Sequence, residues 1–151
     1  MHTHITENLS YDVNGYKVHD KEFINELPDN YIFVFGSNTA GRHGAGAAKV
    51  ARVKFGAVYG IGEGLVNQSY ALPTLDNDLQ QLPASVLFQT LHNFIECARI
   101  NDHLTFVLTK VGCGLAGYDK PEEMYSDMLK GIDMYNPFPT NIIFPVDFIQ
   151  P

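Results

Sequence analysis

The sequence predicts a three-layer α/β domain, and three observations carry that prediction. Apolar strand-like runs alternate with amphipathic helical segments along most of the chain; two of the strand-to-helix junctions are rich in glycine; and 151 residues suffice for one well-buried core but hardly for two.

The first segment, residues 1–30, reads as an N-terminal hairpin or cap preceding the main domain at 31–151. It holds Tyr11-Asp12-Val13-Asn14-Gly15-Tyr16-Lys17-Val18, two β-prone pieces around an Asn-Gly dipeptide, a strong short-range hairpin signal. A short helix is expected from Glu22 to Leu27, ended by Pro28. Tyr31-Ile32-Phe33-Val34-Phe35 then reads as a strand buried on both faces, followed by the loop Gly36-Ser37-Asn38-Thr39-Ala40-Gly41-Arg42-His43-Gly44-Ala45-Gly46. Ala47, Val50, Ala51 and Phe55 fall at helical spacing, and Gly56 stands where a left-handed residue ends a helix. The turn Tyr59–Gly64 leads to a strand at Ser69–Leu72, before Pro73. Its glycine spacing superficially suggests a nucleotide motif, a reading disfavoured because no helix follows.

Leu87, Leu91, Phe94, Ile95 and Ala98 define the clearest helix, with Pro83 in its first turn. A strand over Leu104–Val111 runs into the second glycine loop, Gly112-Cys113-Gly114-Leu115-Ala116-Gly117-Tyr118. Asp119 with Glu122 has the form of a capping box, starting a helix near Pro121 that continues towards Leu129, and Asn141–Phe144 supplies a last strand. In open α/β sheets, ligands sit at the carboxyl ends of strands. Both glycine loops are therefore expected to face one cleft.

Composition narrows what that cleft takes. The formal net charge of −7 and the lack of a basic cluster argue against nucleic-acid binding. An anionic ligand must be held by local backbone donors, which a small-residue loop opening a helix provides. No segment approaches the roughly 20 apolar residues that span a bilayer, and Met1-His2-Thr3-His4 has no signal-peptide character, so the cytoplasm is the expected location and no membrane partner is foreseen. The two cysteines, Cys97 and Cys113, form no Cys-x-x-Cys pair and are expected to be reduced; no metal site and no cofactor are expected.

His43 titrates near neutral pH and is a candidate either for work on the ligand or for fixing the turn. Arg42 is a candidate phosphate contact or a solvated surface residue. Cys113 reads more readily as a packed thiol than as a nucleophile, since no base is placed beside it. Lys110 reads equally well as a cleft residue or a solvated strand end, and Asp76-Asn77-Asp78 reads as a solvated turn.

Together, Phe33-Val34-Phe35-Gly36-Ser37-Asn38 with Gly41-x-His43-Gly44-x-Gly46-Ala47-Ala48, and Val111-Gly112-Cys113-Gly114-Leu115-Ala116-Gly117, resemble the macrodomain superfamily of ADP-ribose-binding modules, within it the branch with a Gly-Cys-Gly-Leu second loop. The resemblance implies a three-layer α/β/α fold with a mixed central sheet. It also implies a ligand, ADP-ribose or a related nucleotide diphosphate, free or attached to protein. By the same resemblance Gly36, Ser37, Asn38, Gly41, Arg42, His43, Gly44, Ala45, Gly46 and Ala47 wrap one side of the ligand. Gly112, Cys113, Gly114, Leu115, Ala116, Gly117 and Tyr118 close the other.

Asn38 would meet the distal ribose, and with His43 would position substrate or water if the protein acts as an ADP-ribosyl hydrolase or ADP-ribose phosphatase. Three catalytic schemes of the superfamily lack their carboxylates here. Ala47 and Ala48 stand where one has an acidic residue, Ala116 where another has an aspartate, and the paired glutamates of a third are missing. The alternative is a non-catalytic reader or sequestering protein.

Overall fold

The computed structural model describes residues 9–114 and 116–150. Seven strands form one sheet: Tyr11–Val13 (β1), Tyr16–His19 (β2), Tyr31–Asn38 (β3), Gly64–Val66 (β4), Ser69–Leu75 (β5), Thr105–Leu108 (β6) and Ile142–Pro145 (β7). Their spatial order is β1-β2-β7-β6-β3-β5-β4. β2, β7, β6, β3 and β5 run parallel, and the edge strands β1 and β4 are antiparallel to their neighbours. The sheet is therefore mixed, as the fold class required.

Strand alternation divides the core between two faces. Ile32 and Val34 of β3, Tyr70 and Leu72 of β5, Phe106 and Leu108 of β6, and Ile142 and Phe144 of β7 join one cluster with the helices Ala84–Ile100 (α2) and Pro121–Tyr135 (α3). The short helix Val146–Ile149 (α4) adds Phe148, whose ring stacks on that of Tyr125 at 5.1 Å. On the opposite face, Phe33, Phe35 and Ala71 pack with Ala51 and Phe55 around the helix Gly46–Lys54 (α1). Helices on both faces of a largely parallel sheet make the three layers.

Leu87, Leu91, Phe94, Ile95 and Ala98 of α2 are all buried, as their spacing predicts, although Pro83 precedes the helix as its N-cap. Asn14 (φ 52°) and Gly15 (φ 86°) both adopt the left-handed region, the requirement of a type I′ hairpin turn, and they join β1 to β2. Gly56 (φ 78°) terminates α1.

Several expectations change. No helix forms over Glu22–Leu27: the segment is irregular, with Ile24 and Leu27 packed beneath the sheet face and Phe23 84 % exposed. Six residues cannot offset the cost of nucleating a helix when Ile24 and Leu27 already pack against the core without one. β3 continues through Gly36-Ser37-Asn38, which pair with β5 instead of opening a loop. β5 likewise runs through Pro73, which lies beyond the end of β4, where no neighbour needs its missing N–H. The Asp119–Glu122 capping box does not form: Pro121 takes the first helical position, leaving Lys120 at the N-cap with φ 44° and no side-chain cap bond. That helix extends to Tyr135, past Leu129.

Candidate functional site

Parallel pairing carries the C-terminal ends of β6, β3 and β5 to the same edge of the sheet, and there the two glycine loops meet across a cleft of about 520 Å³. Gly36 lies at its base, where a Cβ would stand 3.6 Å from Thr74 and Val111. One wall is Gly44, Ala45 and the first turn of α1, Gly46-Ala47-Ala48. The other is Thr109, Lys110, Gly112, Gly114 and Ala116. The expectation that one cleft unites both loops agrees with this arrangement.

The α1 terminus is uncapped. Its N-cap, Ala45, is extended (φ −153°, ψ 164°) and provides no side-chain cap, so the N–H groups of the first turn have no side-chain acceptor there. Other N–H groups of the loops are already used. Those of Gly41 and Arg42 donate to the backbone and side-chain oxygens of Asn38 (2.9 and 3.0 Å), and those of Cys113 and Gly117 close turns onto Lys110 and Gly114 (both 3.2 Å).

Glycines of the first loop therefore do two different jobs. Gly44 and Gly46 have open space where a side chain would be, although Gly46 is held at φ 60°. Gly41 (φ 72°) is pressed against Gly60 and Ile61, where a Cβ would stand 2.4 Å from backbone atoms. Gly62 is pressed as closely against the carbonyls of Asn38 and Thr39, and Ser37 Oγ donates to the Gly62 carbonyl at 2.5 Å. The turn Tyr59–Gly64 thus buttresses the first loop by backbone contact.

Asn38 lines the cleft, and its side-chain amide also donates to the Arg42 carbonyl at 3.0 Å, so both ends of the amide clamp the turn 38–42. Arg42 also lines the cleft and donates through its guanidinium to the Asn77 carbonyl. His43 lies outside the cleft lining. It is 1 % exposed, its ring meets Phe35 edge-on at 5.2 Å, and among the described residues neither ring nitrogen has a hydrogen-bond partner. The Ile61 backbone approaches the ring without reaching hydrogen-bond geometry. Burial, and next to it the Arg52 charge, lower its pKa below the usual histidine value.

Cys113 and Tyr118 also stand back from the cleft. Burial, followed by the Glu122 carboxylate, pushes the Cys113 thiol up to about 11, which keeps it protonated. The Tyr118 hydroxyl points to the carbonyls of Thr74 (2.6 Å) and Leu82 (3.1 Å), tying the second loop to β5. Leu115 lies outside the described residues. Lys110, left undecided by sequence, lines the cleft while pairing with Asp147 at 2.8 Å and Glu122 at 3.6 Å; the hydrogen bond to Asp147 is the main cause that raises its pKa.

Sequence reasoning missed Thr74, Leu75, Leu79 and Thr109 as lining residues. Ending β5 at Pro73 concealed the first three; the strand-end rule applied to the full strand would have found Thr74 and Leu75. Among the described lining residues there are two basic side chains and no carboxylate, histidine or cysteine.

Among solved structures, a macrodomain from Oceanobacillus iheyensis carrying an aspartate-to-alanine substitution superposes with a TM-score of 0.55 over 93 % of this chain and 91 % of that one, at 15 % identity. The chain has a macrodomain-like fold. No protein-family model matches the sequence, and no curated protein matches it. Among the described residues, no helix is long and apolar enough to cross a membrane, and no three His, Cys, Asp or Glu side chains gather as a metal would need.

Proposed function

We propose that this protein binds ADP-ribose or an ADP-ribose derivative, with the diphosphate between the first turn of α1 and the Gly112–Ala116 side of the cleft. One observation carries the reading: an uncapped helix N-terminus faces a glycine loop across a cleft that holds Arg42, while Lys110 at its edge is already paired with Asp147 and Glu122. Asn38 shapes the loop that receives the distal ribose, and His43 supports that loop from beneath. Two unpaired thiols suit a reducing cytoplasm.

The same lining favours a reader or sequestering protein over a hydrolase. General acid–base catalysis needs a group that exchanges protons within hydrogen-bond reach of the ligand. Asn38 does not titrate, and His43 is packed against Phe35.

Ala45→Asp tests the binding reading. An aspartate at an extended N-cap accepts the first-turn N–H groups, stabilising the helix by about 1 kcal/mol while competing with any bound phosphate. Calorimetry should therefore find ADP-ribose affinity at least tenfold weaker in a variant whose Tm is raised. Unchanged affinity in that variant would move the ligand away from α1. Product analysis on ADP-ribosylated protein and on ADP-ribose 1″-phosphate separates the two activities: intact substrate after prolonged incubation supports the reader, and turnover assigns a hydrolase or phosphatase.

A further inference from the structure

We propose that Leu79 is a specificity-determining residue of the cleft, an apolar lip against which a ring carried by the bound diphosphate packs; the inference rests on the cleft being a diphosphate site. Leu79 belongs to a five-residue turn, 76–80, that is firmly built. The Asp76 carboxylate accepts the N–H groups of Asp78 (2.8 Å) and Gln80 (2.9 Å), the Asp76 N–H donates to the Gln80 carbonyl (2.8 Å), and the Leu79 N–H to the Asp76 carbonyl (3.1 Å). Asn77 locks this turn to the first glycine loop, accepting the Thr39 hydroxyl at 2.5 Å through its side chain and the Arg42 guanidinium through its carbonyl.

At the end of this scaffold stands a leucine whose backbone and side chain are both in unfavourable settings. Its φ is 61°, a conformation that crowds an L-residue's Cβ and suits glycine or asparagine; among the described residues Asn14, Asn67 and the α3 N-cap Lys120 occupy the other such non-glycine positions. The residue is 54 % exposed, yet it lines the cleft beside Leu75. A turn needed only for connection would lose nothing with asparagine at this position. Strain held in place by a hydrogen-bonded loop at the rim of a ligand cleft points to a contact made with the ligand.

The chemistry of that contact follows from the rest of the lining. N–H groups and Arg42 suit phosphate oxygens, whereas a branched hydrocarbon suits the face of a ring. Because β5 lies beside β3 on the side away from β6, Leu79 and Lys110 occupy opposite flanks of the cleft. The ring that packs on Leu79 is then the group at one end of the diphosphate.

Leu79→Asn and Leu79→Gly both accept the backbone conformation and remove the hydrocarbon. The two variants and the wild type are melted, and titrated calorimetrically with ADP-ribose, ADP, ribose 5-phosphate and pyrophosphate. Expected are a Tm unchanged or raised by about 1–3 °C, pyrophosphate binding unchanged, and ADP-ribose affinity lowered roughly three- to twelvefold, the scale of covering half a leucine. A loss shared by ADP assigns the ring to the base, and a loss shared by ribose 5-phosphate assigns it to the sugar.

ADP-ribose affinity equal to wild type in both variants overturns the inference and leaves the cleft reading intact. A Tm lowered by more than about 5 °C in both overturns it too, since Leu79 would then be holding the fold. If the wild type binds none of the four compounds, the cleft reading itself fails and the lip with it.

Discussion

Replacing Gly41 and Gly44 with alanine, one at a time, separates the two roles that glycine plays in the first loop. At Gly41 the added methyl meets the Gly60 carbonyl carbon and the Ile61 nitrogen at 2.4 Å, inside van der Waals contact with backbone that has no rotamer to change. The left-handed φ of 72° adds about 1–2 kcal/mol for any L-residue, and forcing the loop off its buttress adds a further 1–3 kcal/mol or so. A destabilisation of about 2–5 kcal/mol corresponds, in a chain of this size, to a Tm lowered by roughly 5–15 °C.

At Gly44 nothing lies within 4 Å of the added methyl and φ is not in the left-handed region, so Gly44→Ala should leave the melt within about 0.5 kcal/mol of wild type. Thermal denaturation followed by circular dichroism reads both. A Gly41→Ala protein that melts with the wild type, or a Gly44→Ala protein that melts below it, would refute the division into packing and cradle glycines.

Three further outcomes are expected. His43 has a folded-state pKa below its unfolded value near 6.5, so the unfolded chain takes up its proton first; stability should be full above that pH and be lost as pH falls below it towards the folded pKa. Urea denaturation at pH 7.5 and 5.5 should find a smaller difference for His43→Phe than for wild type, and an equal difference would place the titration elsewhere, with His19, whose burial also lowers its pKa, the next candidate. Tyr118→Phe removes the hydroxyl that reaches the Thr74 and Leu82 carbonyls and should cost about 1–2 kcal/mol, read as a lowered urea midpoint with an unchanged m-value. Cys113 should react with a thiol reagent at neutral pH far more slowly than a free cysteine, because burial raises its pKa to about 11; a rate at or above the free thiol's would contradict that protonation state.

The layers were legible because their physics is local. Ile32 and Val34 alternate with Phe33 and Phe35, and a helical stripe from Leu87 to Ala98 needs no partner to be recognised; both report burial through periodicity alone. Asn14-Gly15 is legible for the same reason, since the turn's demand on φ falls on those two residues. The cleft was legible as two loops but not as a lining. That Gly41 faces Gly60 and Gly62 faces Asn38 depends on segments some twenty residues apart meeting backbone to backbone, which no pattern of side chains announces. His43 belongs to the same class. Its position between glycines suggests a ligand contact, while its direction, towards Phe35, is set by tertiary packing. Leu79 was hidden because the acidic residues around it read as solvent-facing, although Asp76 spends its carboxylate on the turn that presents the leucine.

The parallel pairing of β2 with β7 sets the timetable of folding during synthesis. Beyond Asp12 and Tyr11 of their own hairpin, Lys17 and Val18 pair with Ile143 and Phe144, far along the chain, so the hairpin waits for β7 to be translated before it joins the sheet. Until then β6 has Phe106 and Val107 along an unpaired edge, which β7 later covers through Ile142 and Ile143. A ribosome stalled before residue 142 would therefore hold a nascent chain with an open, apolar strand edge and a stranded hairpin, a form suited to capture by a chaperone.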